Sequence, residues 1–181
     1  MRMTESQFKG LKKGAFGKFK SLSGNKAFAT ATELVLSAHT KAMSALQRNP
    51  ALLQGNQEHY QQVELFEFLE QYHPDIYALS YAVPNSGKRP KKTAFDMKAE
   101  GQKSGYPDTG IDAARGIYHG FRCELKTPIG KASHAQVNYA VMLRKQGYCV
   151  VFCYGFENTI KAFLEYWHLQ TKEVMSSDTY K

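Results

Sequence analysis

Pro107-Asp108-Thr109-Gly110-Ile111-Asp112-Ala113-Ala114-Arg115-Gly116-Ile117-Tyr118-His119-Gly120-Phe121-Arg122-Cys123-Glu124-Leu125-Lys126 is the stretch on which the fold turns. Asp108–Arg115 and Gly120–Lys126 read as two strands around a turn near Gly116. Residues i and i+2 of a strand share a face, so Phe121, Cys123 and Leu125 point one way and Arg122, Glu124 and Lys126 the other. A hairpin of these strands brings Asp108 beside Glu124, sixteen residues further on. Two close carboxylates repel unless a cation neutralises them. Oxygen ligands suit a hard ion such as Mg²⁺ or Mn²⁺, which lowers the pKa of a bound water and polarises a phosphate oxygen. A lysine on the same face then positions that water or stabilises charge in the transition state. Taken alone, Glu-x-Lys equally describes an edge strand with one solvated face, and Asp after Pro is common at turns.

Outward from this stretch, the pattern alternates helices and strands. Toward the N-terminus, Gln57–Tyr72 is a predicted helix with an apolar stripe of Leu65, Phe66, Leu69 and Tyr72, stopped at Pro74. Glu58 and Gln62 continue that stripe, four residues apart. A carboxylate in line with a buried stripe calls for a partner, although an acid in a first helical turn is also favoured by the helix dipole. Tyr77–Val83 reads as an aromatic strand ending in the turn Pro84-Asn85-Ser86-Gly87. Lys88-Arg89-Pro90-Lys91-Lys92 is a basic loop, and Thr93–Glu100 a short helix stopped by Gly101. Toward the C-terminus, Ser133–Gln146 is a helix whose Ser133 and Gln136 fit a capping box. Gln136 shares a face with Ala140 and Leu143 that should lie on the sheet, so its amide can also reach toward Lys126 or substrate. Tyr148–Tyr154 is the most apolar strand, and Glu157–Leu169 is a last helix before a polar tail. This order predicts an α/β domain with a central sheet covered by helices.

The net charge is +8, and residues 1–54 hold nine Lys or Arg against two Asp or Glu. The basicity therefore belongs to an N-terminal extension, a common trait of nucleic-acid-binding arms. Met1–Asn25 reads as a flexible tail, and Lys26–Arg48 as a helix, ended by Asn49-Pro50 and apolar round much of its circumference. No apolar run approaches the ~18 residues of a membrane span. Cys123, Cys149 and Cys153 read as reduced thiols, which points to the cytoplasm. His59, His119 and His134 lack metal-ligand spacing. No Gly-rich phosphate loop, nucleophile elbow or zinc cluster is present.

Pro107-Asp108 … Glu124-Leu125-Lys126 resembles the PD-(D/E)XK nuclease signature. Flanking pieces narrow the likeness: Glu58-x-x-x-Gln62, Val83-Pro84-Asn85-Ser86-Gly87-Lys88-Arg89, Lys98-Ala99-Glu100-Gly101-x-Lys103-x-Gly105-x-Pro107-Asp108, and Lys131-x-Ser133-x-x-Gln136 before Gly147-Tyr148. In this order they are similar to the VRR-NUC domain, the virus-type replication-repair nuclease module, over roughly Gln57–Trp167. The length matches the small stand-alone members of phages and bacteria.

The resemblance implies a restriction-endonuclease-like core, with a central mixed β-sheet flanked by helices and a helical N-terminal extension. The nuclease domain is expected at 55–170, followed by a polar tail at 171–181; the basic extension at 1–54 has no counterpart in the family pattern, and its role is open. By motif match, Glu58, Asp108, Glu124 and the carbonyl of Leu125 are metal ligands for Mg²⁺ or Mn²⁺, Lys126 is the catalytic lysine and Gln136 a supporting polar residue. Asn85, Lys88, Arg89, Lys91, Lys92 and Lys103 are the expected DNA-binding side chains. Stand-alone members are associated with dimers acting on branched DNA such as four-way junctions, so a homodimer cutting such DNA is expected. Thr109 and Asp112 depart from the apolar residues usual in that strand, so a less buried strand is expected. The rival reading is a DNA-binding module that keeps the fold without cleaving. A third is an interaction protein whose basic tail serves solubility.

Overall fold

Polar residues cap and punctuate a chain whose apolar residues gather on one five-stranded sheet. The computed structural model describes residues 36–84 and 91–181, all of them within one unit, Leu36–Lys181. The basic tail, the first part of the Lys26–Arg48 segment and residues 85–90, on which most of the expected Pro84–Gly87 turn and part of the expected basic loop fall, lie outside the described residues. Helix α1 (Ala38–Arg48) starts at Ser37, whose side chain accepts from the Thr40 N–H. A 3₁₀ turn at Pro50–Leu53 leads to α2 (Gln57–Tyr72). Then come α3 (Pro74–Leu79), β1 (Ser80–Ala82), α4 (Lys91–Ala99), β2 (Thr109–Ile111) and β3 (Phe121–Lys126). Helix α5 (His134–Lys145), β4 (Cys149–Tyr154), α6 (Phe156–Trp167) and β5 (Thr179–Tyr180) complete the described order.

The sheet runs β1-β2-β3-β4-β5. Strands β1–β2 and β2–β3 pair antiparallel, β3–β4 and β4–β5 parallel. The fold is thus α/β with a mixed sheet, as expected. Strand β3 is central and buried at every position, so the solvated-edge alternative for Glu-x-Lys fails. One face of β3 packs on α6, where Phe121 meets Phe163 at 5.0 Å and Tyr166 at 4.8 Å between ring centres. On the other face Arg122 and Glu124 register with Val150 and Phe152, which cluster with Ala140 of α5.

Several expectations change. Only Ser80–Ala82 of the Tyr77–Val83 segment is strand. Pro74 stops α2 but opens α3, because its fixed φ suits the first helical position, and Ile76 of that turn is buried. Strand β2 is shorter than Asp108–Arg115, yet fully buried. Thr109 is buried because its hydroxyl donates to the Tyr81 carbonyl at 2.6 Å, so only Asp112 of the two departures is exposed. The described part of the first helix is amphipathic and not apolar all round. Lys41, Gln47 and Arg48 are exposed, while Ala42, Met43 and Leu46 are half-buried. The polar tail ends in β5, with Tyr180 buried and bonded to Glu165 at 3.0 Å. Among the described residues, no helix is long and apolar enough to cross a membrane.

Candidate active site

Asp108 is set by the sheet edge. Its carbonyl accepts from the Val83 N–H at 2.7 Å, which extends the β1–β2 ladder past Thr109. Its side-chain Oδ2 accepts from the Leu125 N–H of β3 at 3.0 Å. Glu124 stands on the α5 face of β3 and is 2% exposed. Its Oε1 accepts from Lys126 Nζ at 2.6 Å and from Gln136 Nε2. Its Oε2 is buried and receives no hydrogen bond from a protein donor, while the carboxyl as a whole interacts with that of Asp108. Lys126 Nζ also donates to the Leu125 carbonyl at 2.9 Å and stands 3.8 Å from Glu58 Oε1. Glu58, in the first turn of α2, is half-exposed.

Gln136 does two things at once. Its Oε1 accepts from the Ser133 N–H at 2.8 Å, closing the capping box. Its Nε2 holds Glu124. Gln136 thus caps α5 and at the same time contacts Glu124.

Burial dominates the electrostatics. It pushes the Glu124 carboxyl up to about 8, reinforced by the like charge of Asp108 and opposed by Lys126. Burial likewise raises Asp108, against the Leu125 N–H and the Lys126 charge. For Lys126, burial disfavours the ammonium, but the bond and charge of Glu124, then Glu58 and Asp108, outweigh it and move the net direction up. Lys126 thus stands where a cation would neutralise the acids.

Among the described residues, no three Asp, Glu, His or Cys side chains are gathered as a ready metal cluster. The donor chemistry still fits a hard divalent ion. Asp108, the Glu124 Oε2 and the Leu125 carbonyl are all oxygen donors on adjacent strands, and Glu58 is near. Lys103 is exposed on the loop before β2 and joins none of these contacts. Lys91 and Lys92 open α4 instead of lying in a loop. Asn85, Lys88 and Arg89 lie outside the described residues. Gln62 lines an open cavity of about 480 Å³ with His39, His59, Phe66 and Tyr77.

A solved structure described as a VRR-NUC domain protein matches this chain at 31% identity, over 66% of this chain and 95% of its own, with a TM-score of 0.57. The chain belongs to the VRR-NUC domain family. No family sequence model and no curated protein matches it.

In this VRR-NUC chain the site rests on a clamp that sequence reasoning missed. Gly105 has φ +82°, and a Cβ there would stand 2.6 Å from the Ala135 carbonyl carbon and oxygen and 2.8 Å from the Gln136 nitrogen. The loop entering β2 therefore lies directly on the N-terminus of α5. Next to it, Tyr106 Oη accepts from Arg122 Nε at 3.2 Å. The Arg122 guanidinium lies between the rings of Tyr81 and Tyr148, at 5.2 and 4.6 Å, and pairs with Asp112 at 3.2 Å. Arg122 is on the Glu124 face of β3, so this stack ties the Asp108 loop to β3, and Tyr106 in turn meets Tyr139 of α5 at 5.3 Å between ring centres. In the sequence, Gly105-Tyr106-Pro107 reads as a break within one of the family-like flanking pieces. The one local cue, a glycine just before Pro-Asp, does not say what the glycine touches.

Proposed function

We propose that this VRR-NUC chain is a Mg²⁺- or Mn²⁺-dependent DNA endonuclease that hydrolyses phosphodiester bonds in branched or four-way junction DNA. The observation that carries the reading is the convergence of half-buried Asp108 and Gln136 with buried Glu124 and Lys126 at one end of the sheet, the Glu124 Oε2 being left without a donor. A buried carboxylate oxygen without a donor is expensive in a purely structural site. Asp108, Glu124, the Leu125 carbonyl and Glu58 would hold the ion. Such an ion supplies an acidified water and a polarised phosphate oxygen.

The chain's own residues do the rest. The Gln136 amide fixes the Glu124 carboxylate at Oε1. The Leu125 N–H orients Asp108 from the neighbouring strand. Lys126, held by Glu124 and the Leu125 carbonyl, is placed to donate a proton or a hydrogen bond to an oxygen at the scissile phosphate. The +8 net charge, concentrated in residues 1–54, supports a polyanionic substrate. A four-way junction has near two-fold symmetry and needs two matched cuts, so the working form is a homodimer.

The test is cleavage of a panel of linear duplex, flap and four-way DNA with Mg²⁺, Mn²⁺ or chelator. We expect cleavage of the branched substrates with either metal, none with chelator, and none by Asp108→Asn. Salt-sensitive binding without cleavage by the wild-type chain would establish the DNA-binding module instead.

A further inference from the structure

We propose that Ile129, at the tip of the turn after the Lys126 strand, is an apolar wedge that inserts beside unstacked bases and so selects branched DNA. The inference rests on the nuclease reading and assigns a specificity residue to it. Ile129 is 92% exposed, the most exposed large apolar side chain among the described residues. Single exposed apolar residues are ordinary on protein surfaces. Two observations set this one apart.

The first is that the turn is stiff. The Gly130 N–H donates to the Thr127 carbonyl at 2.9 Å, closing a four-residue turn. Pro128 fixes the backbone at its second position. The start of the turn is tied to the end of β4, where the Gly155 N–H donates to the Lys126 carbonyl at 3.0 Å. The backbone that carries the tip residue is therefore held by these bonds.

The second is that the turn sits on the site. A Cβ at Gly130 would stand 3.4 Å from Cδ of Lys126, and 3.1 and 3.2 Å from the hydroxyl and carbonyl oxygens of Thr127. The base of the turn thus lies close beside the stem of Lys126, three residues before the tip, and on the proposed reading a phosphate at Lys126 brings its flanking bases near the tip. Lys131, exposed on the C-terminal side of the turn, suits the next phosphate.

Proteins that insert Ile, Leu, Met, Phe or Pro between base steps must first unstack them. At a branch point that stacking is already broken, so the same side chain gains more on branched than on continuous DNA. The site then prefers branches through a contact made by one apolar residue and not through any base-specific hydrogen bond.

The experiment uses the full chain with chelator present, so that DNA is bound and not cut. The probe is a four-way junction carrying 2-aminopurine at the branch point, with a second junction carrying it mid-arm. The wild type should raise the branch-point fluorescence and leave the mid-arm signal unchanged. Ile129→Ser should lose that rise and lower the ratio of junction to linear-duplex affinity roughly tenfold, the scale of one buried aliphatic side chain. Ile129→Leu should restore both, and far-UV circular dichroism checks that all three chains are folded. Junction binding with no branch-point rise, or the same rise from wild type and Ile129→Ser, overturns the wedge. If the wild type neither binds DNA nor cuts it with Mg²⁺, the nuclease reading falls and the wedge falls with it. If it cuts with Mg²⁺ and the Ile129 variants behave alike, only the wedge falls.

Discussion

Replacing Gly105 by alanine should damage both the fold and the chemistry, by an amount the geometry lets one divide. Gly105 has φ +82°, where an L-residue carries roughly 1–2 kcal/mol of backbone strain. Its new Cβ would also stand 2.6 Å from the carbonyl carbon and oxygen of Ala135 and 2.8 Å from the Gln136 nitrogen. These are backbone atoms in the first turn of α5, so no side-chain rotation relieves the overlap. Either the loop or the helix end must move by nearly an ångström, at roughly 1–3 kcal/mol more, the range for overpacking. Gly55→Ala is the control. It has φ +74° and nothing within 4 Å of the added Cβ, so it carries the strain alone. In urea denaturation both variants should lose stability, with Gly105→Ala losing roughly 1–3 kcal/mol more than Gly55→Ala. Because Gln136 holds Glu124, a displaced α5 end should also reduce cleavage by about a hundredfold, the usual penalty for a misplacement near ~1 Å. Gly55→Ala should cut near the wild-type rate. Equal losses of stability by the two variants would refute the packing of this loop on α5, and wild-type cleavage by Gly105→Ala would refute its role in placing Gln136.

Without metal, the Glu124 carboxyl at about 8 binds a proton that the unfolded chain has already released. The folded state therefore holds more protons between the ordinary carboxylate range and about pH 8, and stability falls as pH rises across that window. Asp108 moves in the same direction. Melting temperatures in chelator should decline through the window, and Glu124→Gln should flatten the decline while abolishing cleavage; a flat wild-type profile would contradict the buried acid pair. Deleting Met1–Lys26 should lower the salt slope of DNA binding by about 1 for each phosphate that the tail neutralises, and an unchanged slope would leave the tail a role in solubility only. Light scattering at micromolar protein should give a mass of two chains, and a single-chain mass would refute the homodimer.

The sequence alone determined the features that depend on neighbours a few residues away. Helix α2 is found at Gln57–Tyr72, as expected, because its stripe repeats at helical period and Pro74 cannot continue it. The Ser133–Gln136 capping box forms as read, since both partners lie in one turn. Asp108 and Glu124 meet across the β2–β3 pair because a hairpin and strand alternation suffice to predict it. Tertiary structure decided the rest. The Tyr77–Val83 segment is aromatic enough for a strand, but Pro74 and the burial of Ile76 make its first part helical. Nothing local marks Thr179–Tyr180 as a strand; its pairing partner is Phe152–Cys153, far back in the chain. The same holds for the site. Whether Gln136 only caps or also grips Glu124, whether Glu58 reaches Lys126, and why residue 105 must lack a side chain depend on α2, α5 and the β2 loop arriving at one end of the sheet. Those contacts join residues distant in sequence, and their energies come from burial and packing that no short window of the chain contains.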